Sequence, residues 1–272
     1  MSTANHSNPV SSNNLASVVV PYEKLMRENR DWGMNQASLF FEDKGRVRET
    51  LRRITRRLND LNIPYAVVGG MALFQHGYQR YTEDVDILVT QQGCDALHEA
   101  VDGLGFIRPF SVSKNLRDTE TGVKIEFLIA GAFPGDGKPK AVAFPNPADV
   151  AVVIDDVKYV NLPTLITLKL TSGLTGVNRD KDITDILELI KAAPLDASLA
   201  PELAPLVQPK FLELCERVKV ARTRFVVTES AVPSDLLAAM LKDGIFRDDD
   251  GLYATYDATI ASKYNLRPDS DL

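Results

Sequence analysis

The chain has 272 residues, of which 44% are apolar and 25% charged, with a net charge of −6 and a pI near 5.2. That size suits one large domain or two small ones, and the composition excludes collagen-like, wholly disordered and membrane-spanning chains. An acidic protein is not, taken whole, a clamp for the phosphates of nucleic acid.

No window approaches the roughly 18 consecutive apolar residues that a membrane helix requires. The first 20 residues are rich in Ser and Asn and read as a disordered tail without the charged and apolar regions of a secretory signal. The cysteines are Cys94 and Cys215 alone, too few for a disulfide framework, so a cytoplasmic location is expected. His6, His76 and His98 are too scattered for a zinc site.

Residues 21–43 are ambiguous, with Trp32, Phe40 and Phe41 as candidate docking anchors. From 44 to 61, Val47, Leu51, Ile54, Leu58 and Leu61 recur every three or four positions, which predicts an amphipathic helix. Arg46, Arg48, Arg52, Arg53, Arg56 and Arg57 fill the rest of its circumference. They read either as a solvated face or as contacts for the phosphates of a polynucleotide. After the break at Pro64, Tyr65-Ala66-Val67-Val68 reads as a buried strand, Gly69-Gly70 as a tight turn, and residues 71–76 as a short helix. Strands are expected at 85–89 and 123–129, with a helix at 95–104 between them and a further strand pair near 150–154 and 158–160. A loop rich in Gly and Pro covers 131–147. Helices follow at 163–174, 182–192 and 205–222, and short ones at 233–246 and 257–264. The predicted class is α+β: a small mixed sheet with flanking helices over 21–160, then a helical C-terminal region over 161–272.

The chemistry concentrates between residues 69 and 126. Two glycines between a strand and a helix let backbone N–H groups approach a phosphate closely. Alternate strand residues share a face, so Asp84 and Asp86 project together while Val85 and Ile87 enter the core. Adjacent carboxylates repel unless cations sit between them, and hard divalent ions such as Mg²⁺ meet that need. Glu126 stands in the otherwise apolar run around Ile125 and Phe127. Its place is explained if its strand lies beside that of Asp84 and Asp86, where two metals could act together. A plain solvated strand residue is the alternative. Arg80 and Thr82 either touch substrate or shape the loop.

Gly69-Gly70, then Asp84-x-Asp86, then Glu126, in this order, resembles the signature of the DNA polymerase beta-like nucleotidyltransferase superfamily. The wording VGGMALFQHGYQRYTEDVDILV is especially similar to the branch of minimal nucleotidyltransferases and abortive-infection toxins. The resemblance covers about residues 63–192. It implies a phosphate-cradling turn at Gly69 and Gly70, a metal-binding pair in Asp84 and Asp86, and a third catalytic carboxylate in Glu126. Many relatives carry Gly-Ser at the turn, so the serine hydroxyl is absent here. It further implies that Lys169 neutralises a triphosphate oxygen, that Arg179 does the same, and that Asp182 orients one of these cations. The implied activity is Mg²⁺-dependent transfer of NMP from an NTP to an acceptor hydroxyl, with pyrophosphate released. RNA, a protein and a small molecule are the candidate acceptors, and a toxin-like role would bring an antitoxin partner. The other reading is a catalytically inactive nucleotide-binding or interaction module on the same scaffold.

Overall fold

The computed structural model describes residues 19–228, 231–248 and 250–269. In chain order the first part runs α1 (Tyr22–Glu28), α2 (Arg30–Phe41), α3 (Gly45–Asp60), β1 (Tyr65–Val67), α4 (Gly69–Gln75), β2 (Asp84–Val89) and α5 (Gln91–Val101). It continues with β3 (Phe106–Ile107), β4 (Leu116–Asp118), β5 (Lys124–Ile129), α6 (Pro147–Val150), β6 (Ala151–Ile154) and β7 (Val157–Val160). Three long helices follow: α7 (Leu162–Thr175), α8 (Asp180–Ala192) and α9 (Gln208–Arg222).

Seven strands form one mixed sheet in the order β3-β4-β5-β2-β1-β7-β6. At its centre β2 pairs antiparallel with β1 and parallel with β5. Alternation drives this arrangement: Val85, Ile87 and Val89 are fully buried, while Asp84 and Asp86, which alternate with them, lie partly buried on the opposite face. The apolar stripe of α3 packs into the same core through Val47, Leu51, Ile54 and Leu58. Leu61 falls at the helix end and is 41% exposed, so it leaves the stripe.

Of the six arginines of α3, Arg46, Arg48 and Arg53 are engaged inside the protein. Arg46 lies over the Trp32 ring and donates to the Thr121 carbonyl. Arg48 is buried between Phe40 and Phe74, with Asp43 beside its Nε. Arg52 pairs with Asp43, and Arg53 pairs with Glu120 and with the fully buried Asp118. Arg56 and Arg57 remain exposed. Of the aromatic anchors, Phe40 is buried, Trp32 packs edge-on to Tyr22, and Phe41 is half exposed.

The C-terminal region is helical through α9, as expected. Beyond it, α10 (Ser234–Lys242) and α11 (Ala258–Lys263) match the two short helices, and four unanticipated strands accompany them. These are β8 (Phe225–Thr228), β9 (Phe246–Arg247), β10 (Leu252–Thr255) and β11 (Arg267–Pro268), in the order β11-β8-β10-β9. They cover a separate small core of Met240, Ile245, Tyr253, Ala261 and Leu266. Among the described residues no helix is long and apolar enough to cross a membrane.

Candidate active site

The parallel register of β2 and β5 sets Asp84 opposite Lys124 and Asp86 opposite Glu126. Since the register matches even positions to even positions, Asp84, Asp86 and Glu126 share one face. One oxygen from each carboxylate lies within 4.8 Å of the others. The ammonium of Lys124 reaches the Glu126 carboxylate along the same strand.

The glycine turn is fitted to this cluster. Gly69 has φ +61, and a Cβ there would lie 1.8 Å from Asp86 Oδ2. Only glycine both adopts that backbone and leaves the carboxylate its space. A Cβ on Gly70 would meet Thr82, 2.8 Å from its Cβ and 2.9 Å from its Oγ1. The Val68 N–H donates to the Asp86 carbonyl at 2.9 Å, which ties the turn to β2. Thr82 is buried, and its hydroxyl donates to Asp84 Oδ1 at 2.6 Å. Burial, then the charges of Asp84 and Glu126, push the Asp86 carboxyl up to about 7 against the pull of Lys169 and Arg80.

A second cluster faces the first from α7 and α8. Lys169 is buried and donates to Asp182 Oδ1 at 2.8 Å and to Asp185 Oδ2 at 2.7 Å. Burial opposes ionisation of Asp182, but the Lys169 charge and hydrogen bond prevail and hold its carboxyl below the ordinary range. Asp185, itself buried, also holds Arg80, whose Nε lies 2.9 Å from its Oδ1. Arg179 is half exposed, with one guanidinium nitrogen 3.9 Å from Asp182.

Between the clusters lies a cleft of about 460 Å³. Gly69, Asp86, Glu126, Lys169, Arg179 and Asp182 line it, with Leu128, Phe133, Phe144, Leu165 and Leu168 as its apolar wall. The loop of 131–144 is closed by hydrogen bonds from Gly131 N to Phe144 O and from Phe144 N to Ala132 O, both 2.8 Å. Its Gly135 backbone packs on Gly176 at the end of α7.

Most of the anticipated residues therefore converge. Gly70, Arg80, Thr82 and Asp84 do not line the cleft, and Arg80 is held by Asp185, which also pairs with Lys169. Thr82 is hydrogen-bonded to Asp84 instead. Asp185 went unread in the sequence, although its place three residues after Asp182 puts both carboxylates on one helix face. Tyr81 is hydrogen-bonded to the Tyr22 hydroxyl at 2.6 Å, and His76 Nε2 lies 2.7 Å from the Val160 carbonyl. None of the α3 arginines lines the cleft.

The oxygen-only set of Asp84, Asp86 and Glu126 suits a hard divalent cation. Burial first, and then the like charges of Asp84 and Glu126, raise the Asp86 carboxyl, and a bound cation would offset both.

No family model and no curated protein sequence matches the chain. Several solved structures are similar to it. A candidate nucleotidyltransferase from H. pylori is 18% identical, with a TM-score of 0.37, over 63% of this chain and 92% of its own. The antibiotic-resistance factor ANT(2″)-Ia is 13% identical, also at 0.37, over 68% and 92%. An antigenic nucleotidyltransferase-like protein from Paracoccidioides brasiliensis is 19% identical, at 0.37, over 62% and 91%.

Proposed function

We propose that this protein is a Mg²⁺-dependent nucleotidyltransferase, which moves NMP from an NTP to an acceptor hydroxyl. The observation that carries this reading is the junction of three elements at one point. The register of β2 and β5 aligns Asp86 with Glu126, and the Gly69 turn leaves room for Asp86 and no more.

In this reading Asp84, Asp86 and Glu126 would hold the ions. Two bound Mg²⁺ ions would shield the triphosphate charge and make the acceptor hydroxyl more acidic. The Gly69-Gly70 backbone donates N–H groups to phosphate oxygens. Lys169 has three ammonium protons and gives two to Asp182 and Asp185, which leaves one for a phosphate oxygen. Arg179 approaches the same oxygens from the cleft rim. The acceptor oxygen forms its bond to the α-phosphorus as the bond from that phosphorus to the bridging oxygen breaks. Glu126 takes the acceptor proton, and pyrophosphate leaves.

An RNA 3′ end, a protein side chain and a small molecule such as an aminoglycoside each supply a suitable hydroxyl. The toxin-like resemblance favours the first two and, with them, an antitoxin partner. A second reading has its own observation. The Lys124 ammonium already pairs with Glu126, as befits a nucleotide-binding or interaction module without turnover. Incubation with each labelled NTP, Mg²⁺ and total RNA or cell protein tests the proposal. Label should move to one acceptor class with the wild type and remain on NTP with Asp86→Asn. Bound but uncleaved NTP in both would establish the second reading.

A further inference from the structure

The pairing of Gly70 with Thr82 carries a consequence for the metal-binding carboxylates. The Thr82 side chain fills the volume in which a side chain at 70 would stand, since a Cβ there would lie 2.8 Å from Thr82 Cβ. Thr82 is 7% exposed, so its hydroxyl meets little water. That hydroxyl donates to Asp84 Oδ1 at 2.6 Å. The bond engages one oxygen of the Asp84 carboxylate and restrains its rotation, and an Asp84 oxygen lies within 4.8 Å of one oxygen each of Asp86 and Glu126. A Cβ at 70 would also lie 2.9 Å from Thr82 Oγ1 and 3.2 Å from its Cγ2, so any side chain there would displace the hydroxyl. The absent side chain at 70 is thus a condition for the geometry of Asp84.

We infer that Thr82 is a positioning residue for the divalent ion: it orients Asp84, and Gly70 is the space that lets it do so. The inference rests on the nucleotidyltransferase reading of the three carboxylates. It concerns a group that does not line the cleft and whose hydroxyl engages Asp84. Partners that orient ligands typically contribute 10–100-fold in metal affinity.

The test is calorimetric titration of the full chain with Mn²⁺ alone, with Tm measured in EDTA for every variant. Thr82→Val keeps the shape and removes the donor. It should weaken Mn²⁺ binding by about 10-fold or more, while Thr82→Ser, which keeps the donor, should bind nearly as the wild type does. If the Val variant does not fold, Thr82→Ala and Thr82→Ser read the same bond, and Ala alone should bind weakly. Gly70→Ser should lower Tm by collision with Thr82, and adding Thr82→Ala should recover it. Wild-type Mn²⁺ affinity in a folded variant that lacks the hydroxyl would overturn the inference. So would equal loss in Ala and Ser. A wild type that binds no Mn²⁺ would instead remove the carboxylate reading itself, and the inference with it.

Discussion

Asp86 sits where burial and two like charges all disfavour its ionised form, and its carboxyl is pushed up to about 7. The sign of the pH effect follows. An unfolded Asp loses its proton near 3.8, so the folded state holds the proton more tightly between about 3.8 and 7. The contribution of Asp86 to stability is present in full at low pH and is lost as pH rises through 7. In EDTA, Asp86→Asn should therefore have a higher Tm than the wild type at pH 8, with the gap closing toward pH 4. Thermal melts across that range check it, at about 2–4 °C for each kcal/mol relieved. Gly69→Ala should do the reverse. Its Cβ would collide with Asp86 Oδ2 at a backbone φ of +61, so both Tm and divalent-ion affinity should fall. Much of this was open to sequence reading, because Asp84-x-Asp86 on an apolar strand states its own face. The Thr82 contact was not, since it depends on a glycine 12 positions earlier.

Helix α8 presents Asp182 and Asp185 to Lys169 on α7, and Asp185 joins that lysine to Arg80. Asp185→Asn would leave the buried Lys169 and the partly buried Arg80 with only Asp182 between them as counter-charge. The expected cost is about 3 kcal/mol of stability, measured by urea unfolding, with a weaker affinity for NTP. The α3 arginines offer a contrast. Arg53→Gln removes the guanidinium from a carboxylate with no solvent exposure, and should cost about 2 kcal/mol. Arg56→Gln with Arg57→Gln should leave stability unchanged. If RNA is the acceptor and meets this helix, that pair should flatten the log–log salt slope of RNA binding by about 2. The helix boundaries were readable from period alone, as 45–60 emerged where 44–61 was expected. The fate of the arginines was not, because, of their partners, Asp118 lies in β4 and Asp43 in the turn that precedes the helix. Strands such as Phe246–Arg247 and Arg267–Pro268 hold two residues each, too few to show an alternation.

Across the whole molecule, the mixed sheet brings β2 and β5 side by side although 34 residues separate Val89 from Lys124. The closed loop of 131–144 and the ends of α7 and α8 then wall the cleft from the other side. The carboxylates, the glycine turn and the lysine were each readable as residues. Their convergence required the register, which no local pattern specifies. Pyrophosphate release measured on the full chain, with each NTP in Mg²⁺ and a mixed pool of RNA, protein and aminoglycoside acceptors, bears on all of these elements together. The account predicts acceptor-dependent pyrophosphate from the wild type. It also predicts a fall of at least about 100-fold in folded Asp84→Asn and in folded Asp86→Asn, with no further loss when the two are combined. Undiminished release from a folded Asp86→Asn protein, or bound NTP with no release from the wild type, would contradict it.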